Sequence, residues 1–149
     1  MSSAARWTRL LAPAWLGALL TLALVATPAA FALLPRVDAG RVAGRMLAQE
    51  AYFSLAVGAV CLLLERRSAR IAAERGTGST FSTNIILVLG TVFCTVAGYF
   101  GVLPLMAQAR AGTGPLSFGQ LHAVSATLFA IKSALVAMLA WRVSRQPSS

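Results

Sequence analysis

Glu50, His122, Ser125 and Lys132 stand inside stretches that are otherwise apolar, which makes them the side chains best placed to do chemistry in this chain. An ionisable group in an apolar segment must be paired, hydrated or neutralised, so its presence there is a functional signal. Glu50 and His122 each fall about one turn into an apolar run, on the same expected side of a membrane. A Glu–His contact at that depth would stabilise both groups and titrate near neutral pH; the plainer alternative is an interhelical hydrogen bond that only fixes packing. Ser125 lies one helical turn beyond His122, and Lys132 follows on the same segment, giving a partly continuous polar face. No carboxylate is expected at the level of Lys132. That leaves the hydroxyls of Thr91, Thr95 or Tyr99, a water-filled cavity, or loss of its proton to support it, unless it snorkels along its own helix. Met46, Met106 and His122 are expected on one side as well. Thioether and imidazole ligands together suit a soft metal such as Cu(I), although methionine is equally an ordinary apolar filler.

Other chemistries lack their residues. A single histidine excludes a bis-histidine haem site within one chain. There is no phosphate-binding glycine loop, no Gly-x-Ser-x-Gly elbow and no paired-aspartate motif, so neither an enzyme nor a cofactor is expected. Cys61 and Cys94 both lie in apolar segments and read as small packing residues rather than a disulfide or metal pair.

The elements that must position these residues follow from composition. Of 149 residues, 58% are hydrophobic and 11% charged, and the mean hydropathy is +0.75. A soluble domain carries about a quarter charged residues, and so short a chain cannot bury this much apolar surface in a water-soluble core. Lipid is the alternative solvent. The excess of 13 Lys and Arg over 4 Asp and Glu gives a formal charge of +9. The basic residues lie between apolar runs, as topology signals and headgroup contacts do, and not along one soluble face, so nucleic acid is not an expected partner.

The expected fold is an all-α integral membrane protein: a four-transmembrane-helix bundle forming a single membrane domain over residues 1–149. Its spans are expected at about 10–34, 46–64, 85–106 and 118–141, each near the roughly 20 apolar residues that a crossing needs. Pro28 should kink the first span, and Pro104 lies near the end of the third. Pro35 to Arg45 and Ala107 to Ser117 read as short connections. The segment from Leu64 to Phe81 is a longer polar loop in which Glu65 to Arg75 can continue the helix until Gly76, Thr77 and Gly78 break it. Trp7, Trp15 and Trp141 fall near span ends, where amphipathic rings sit at an interface. The first span also resembles a signal peptide, with Arg6 and Arg9 ahead of it and Ala30-Phe31-Ala32 as a small-residue site, but its apolar run exceeds the usual signal core.

Arg6, Arg9, Arg66, Arg67, Arg70, Arg75, Arg142 and Arg145 lie on one side of these spans, and Arg36, Arg41, Arg45 and Arg110 on the other. The positive-inside rule then puts both termini in the cytoplasm, and the expected location is a bacterial inner (plasma) membrane. Small residues at four-residue intervals mark helix contacts in lipid: Ser54 with Gly58; Gly90, Cys94 and Gly98; Ala126, Ala130 and Ala134. Such stripes suit a compact bundle and leave open a homo-oligomer or a membrane partner protein.

Several short patterns carry a family resemblance. They are Trp15-Leu16-Gly17, Pro28-Ala29-Ala30-Phe31, Leu34-Pro35, Ala39-Gly40, Glu50 with Tyr52 and Phe53, Tyr99 and Pro104, and Phe118, Leu121-His122 and Ser125. Together they resemble bacterial proteins with domain of unknown function 4149, which are similar to the transmembrane-protein-205-like family of eukaryotes. The resemblance implies a small four-span membrane protein without an assigned activity, and it gives no catalytic residues to carry over. It raises the interest of Glu50 and His122 and leaves Lys132 outside the matching segments. The loose association of eukaryotic relatives with metal-drug handling adds little to the metal reading. The expected function is therefore a structural or accessory membrane protein, with a transporter-like or soft-metal-handling protein as the alternative.

Overall fold

In lipid every backbone N–H and C=O must find a partner within the chain, so an apolar segment crosses as a helix. The computed structural model describes residues 3–145, and these are helical with no strand among them; residues 1–2 and 146–149 lie outside the description. Span 1 consists of α1 (Ser3–Thr21), a π-helical segment (Leu22–Ala26) and α2 (Thr27–Leu33). Span 2 is the single helix α3 (Arg36–Glu74). Span 3 consists of α4 (Thr83–Val96), a second π-helical segment (Ala97–Val102) and α5 (Leu103–Arg110). Span 4 is α6 (Phe118–Ser144). All 4 are long and apolar enough to cross a membrane. Large apolar side chains face outward, with Leu33 83%, Leu24 70%, Leu63 68% and Phe93 68% exposed. That coat fits hydrocarbon and would aggregate in water.

Both π-helical segments have the same cause. A proline lacks the N–H for its helical bond and its ring strikes the carbonyl four residues earlier. For Pro28 that carbonyl belongs to Leu24, and for Pro104 to Phe100, each inside a widened turn. The kink expected at Pro28 thus takes the form of a π turn, and span 3 carries its counterpart.

The connections are tighter than the sequence suggests. Only Leu34 and Pro35 separate spans 1 and 2, because Pro35 stands as the cap of a helix that begins at Arg36. The expected loop from Pro35 to Arg45 is instead ten residues of helix. Gly40 and Gly44 are its weakest helix formers, it holds no proline, and Asp38 in the first turn complements the helix dipole. At its other end α3 continues to Glu74 and stops where Gly76 adopts φ +68°, letting the Thr77 amide donate to the Ala72 carbonyl. The Ser82 side chain caps α4, and Ser117 with Gln120 forms a capping box on α6.

The four spans form a ring. Span 1 packs on spans 2 and 4, and α4 of span 3 packs on the same two. Beyond its π segment, span 3 leans on span 4 through Val102, Met106 and Leu121 and parts from span 2. The half of the bundle nearest the termini is filled by Ala12, Cys61, Leu87, Val88, Leu139, Ala140 and Val143, and the next layer by Trp15, Leu19 and Val136. Trp15 is therefore a core residue with 0% exposure and not an interface anchor. Gly58 and Gly90 do mark close helix contacts. A Cβ on Gly58 would lie 2.8 Å from Val92 Cγ2 and 3.4 Å from the Trp15 ring, and one on Gly90 would lie 3.0 Å from Leu135 Cδ1. Ala126, Ala130 and Ala134, by contrast, face outward.

Gly58→Val should destabilise the bundle by about 1–3 kcal/mol through overpacking. Gly17→Ala, where a Cβ meets nothing within 4 Å, should be neutral or stabilising. Unfolding of the purified protein in detergent reads both, and equal effects would contradict this helix contact.

Candidate functional site

Glu50 lies fourteen residues after the start of α3 (Arg36), and Lys132 fourteen after the start of α6 (Phe118). Both helices start at the end of the bundle that carries the short 34–35 and 111–117 connections, called here the short-loop end. At the α-helical rise both residues therefore sit about 21 Å below it, near mid-depth. There Lys132 Nζ donates to both oxygens of Glu50, at 2.8 Å to Oε1 and 2.7 Å to Oε2. The Ser54 hydroxyl, one turn along α3, also donates to Glu50 Oε1. Trp15 Nε1 of span 1 donates to Ser54 Oγ at 2.8 Å. Lys132 is 4% exposed, Glu50 9% and Ser54 1%. The Phe129 ring, one turn before Lys132, lies 4.8 Å from the ammonium and adds a cation–π contact.

This arrangement corrects the expectation that no carboxylate reaches Lys132. The error lay in the helix start: with α3 beginning at Arg36 and not near Met46, Glu50 descends from one turn deep to the level of Lys132. His122, only four residues into α6, is ten residues from Lys132, or about 15 Å along the axis. It is exposed, and its ring stacks on Phe118 at a centroid distance of 6.0 Å; Arg110 lies over the other ring at 4.7 Å. Glu50 and His122 are not brought together. The hydroxyls of Thr91 and Thr95 donate back to their own helix, at 2.9 Å to the carbonyls of Leu87 and Thr91, and do not serve Lys132.

The methionines also diverge. Met46 lines an open groove between spans 1 and 2 together with Ala18, Leu22, Gln49, Glu50 and Phe53, while Met106 is buried against Val102 and Leu121. With His122 on the surface, the three do not converge on a metal position. Among the described residues no group of three His, Cys, Asp or Glu side chains could hold a metal ion either.

What does converge is a cleft of about 80 Å³ between spans 2, 3 and 4. It runs from Gly44 and Leu47, beside Tyr99 and Leu103, down to Glu50 and Lys132, with Cys94, Thr95 and Ser125 on its walls. Two features hollow it out: the parting of spans 2 and 3 beyond the π segment, and the missing side chains of Gly44 and Gly98. Its floor is closed by the packed half of the bundle. The order of donors matters here. Indole N–H and ammonium groups only donate, so the chain Trp15 to Ser54 to Glu50, met from the other side by Lys132, converges on the Glu50 carboxylate.

A second polar cluster, which sequence reasoning treated as a mere end of the spans, closes the termini end. Asn84 Nδ2 donates to Glu65 Oε2 at 3.0 Å, Arg142 Nε to Asn84 Oδ1 at 3.0 Å, and Arg9 Nε to the Val143 carbonyl at 2.9 Å. All four spans are joined there. The available signal was Asn84, a lone amide at the mouth of an apolar run, where burial demands partners.

Helical spans with an apolar outer coat, closed at one end and holding a charge pair at mid-depth, define a polytopic membrane protein with an internal polar site. The chain belongs to the family described as domain of unknown function 4149, whose model matches residues 10–114. That match takes in Trp15, Glu50 and Ser54 and ends before span 4 and Lys132. No curated protein and no solved structure shows a significant match.

Lys132→Met should cost about 3–5 kcal/mol, because it leaves a buried carboxylate without its cation. Adding Glu50→Gln should recover most of that loss, whereas His122→Ala should stay within about 0.5 kcal/mol of the parent. Detergent-phase unfolding measures all three, and equal losses in the single and double variants would contradict the pairing.

Proposed function

We propose that this chain is a small multi-pass protein of the bacterial inner membrane, with both termini cytoplasmic. Its Glu50–Lys132 site admits a small solute from the periplasmic side, in the manner of a transporter and not of an enzyme. The observation that carries this reading is the cleft in the short-loop half of the bundle, which reaches a buried ion pair and stops at the packed half. The pair aligns spans 2 and 4, but apolar side chains of similar volume would pack without its desolvation cost, and here the pair also lines a cleft. Charges held at mid-depth, beside helices interrupted in the same half of the bilayer, are the usual ingredients of a solute site in lipid. The eight arginines at the termini end against four at the other support the orientation. The resemblance to bacterial members of the family supports the location.

The accessory reading, in which the protein works as a homo-oligomer or beside a membrane partner, has its own support. Gly119, Ala123, Ala126, Ala130 and Ala134 give span 4 an outward face of small residues, which permits close approach of another helix. The soft-metal reading loses its ground, since Met46, Met106 and His122 occupy three different surroundings.

Two measurements test the leading reading. A reporter active only in the periplasm should be silent when fused after Ser149 and active when inserted between residues 111 and 116. In a background lacking Cys61 and Cys94, Ser125→Cys in intact cells should react with a membrane-impermeant thiol reagent. Reaction only from the cytoplasmic face would overturn the proposal. Disulfide-linked dimers of Ala130→Cys, with no reaction at position 125, would favour the accessory reading.

A further inference from the structure

Building on the reading of this cleft as a solute site, we infer that its ligand is a small zwitterion, of the size and charge of glycine or alanine. The argument begins with charge. Glu50 and Lys132 neutralise each other inside a low-dielectric bundle, so an incoming ion of either sign would bring a charge that nothing in the cleft balances. A ligand carrying both signs brings none. Its ammonium can join Glu50 and its carboxylate Lys132, turning one ion pair into a four-centre array that stays neutral.

The unspent hydrogen-bonding capacity of the pair fits that ligand. Glu50 Oε1 accepts from both Ser54 and Lys132, but among the described residues Oε2 accepts from Lys132 alone, which leaves it room for a further donor. Lys132 Nζ bonds both oxygens of Glu50, and among the described residues its other partner is the Phe129 ring, 4.8 Å away, so at least one of its three N–H groups is left for a ligand. One free acceptor position and one weakly engaged donor therefore lie side by side, the pattern that a paired ammonium and carboxylate complete. On the cleft wall the Ser125 hydroxyl bonds no other described residue, and Thr95 Oγ1, which donates to its own helix, keeps lone pairs for a ligand.

Size narrows the class. A volume of about 80 Å³, at roughly 10–15 Å³ for each water position, holds about five to eight waters. That is the bulk of the smallest amino acids. A bulky side chain would have to extend past Leu47, Leu103 and Leu128 toward the mouth.

The test uses the full-length Cys61→Ala protein in detergent, with Cys94 on the cleft wall as the reporter. Glycine and L-alanine should slow the methylthiolation of Cys94 by methyl methanethiosulfonate (a mixed disulfide forms and methanesulfinate leaves), about elevenfold at ten times the dissociation constant, and should raise the Tm. Acetate or methylammonium at equal concentration and ionic strength should do neither. Glu50→Gln with Lys132→Met, a pairing that keeps the bundle neutral and folded, should abolish the glycine effect while Cys94 remains reactive. Protection by acetate or methylammonium equal to that by glycine would overturn the zwitterion inference and leave a solute site standing. Absence of protection by any of the four, with Ser125→Cys still reactive from the periplasm, would overturn the inference alone. Loss of that reactivity as well would remove the solute site itself.

Discussion

In a ring of four spans each helix touches its two neighbours, and the Glu50–Lys132 pair is the contact that crosses the middle. Spans 2 and 4 face each other diagonally there, with little backbone approach to hold them in register. Hydrophobic association gives no such register in lipid, because tails are as apolar as the side chains they replace. Two charges that must meet at one depth do give it. A slip of one turn, about 5.4 Å, would strand both in hydrocarbon. The pair is thus weak evidence of stability but strong evidence of alignment. Ser54 and Trp15 extend that alignment to span 1.

The two halves of the chain solve this problem in the same way. Each consists of a span interrupted by a π segment two residues before a proline, followed by an unbroken helix with one ionised residue fourteen positions from its start. The signs are opposite, carboxylate in the first half and ammonium in the second, so the halves attract where they meet. Both interruptions fall in the half of the bundle near the short loops. The cleft lies in that half, and the clasp of Glu65, Asn84, Arg142 and Arg9 lies in the other. Rigidity and openness are therefore divided along the bundle axis by sequence features repeated in each hairpin.

The number of spans was legible because an apolar run of twenty residues has no other use in so small a chain. Depth was not. Residues 36–45 carry three arginines, an aspartate and two glycines, which read as a loop, yet Pro35 starts a helix and nothing after it breaks one. That single misplacement paired Glu50 with His122 and left Lys132 without a partner. Trp15 looked like an interface anchor because it lies close to Arg6 and Arg9. Its indole points inward instead, since Gly58 leaves room for the ring and Ser54 accepts its N–H. Ala126, Ala130 and Ala134 have the spacing of a contact stripe, but Lys132, Val136 and Leu139 claim the inner face of the same helix. Spacing defines a stripe, and only the larger neighbours decide which way it turns.

The family match bears on this arrangement from an unexpected side. It covers the carboxylate and the two groups that orient it, and stops at residue 114, short of the helix that supplies the cation. Without the Lys132 counter-charge a buried Glu50 would have to be hydrated or neutralised at that depth, so the matched segment leaves its carboxylate uncompensated. Span 4 completes it electrostatically through Lys132 and sterically through Val136 and Leu139. For the same reason Glu50 in this chain depends on the cation that span 4 brings.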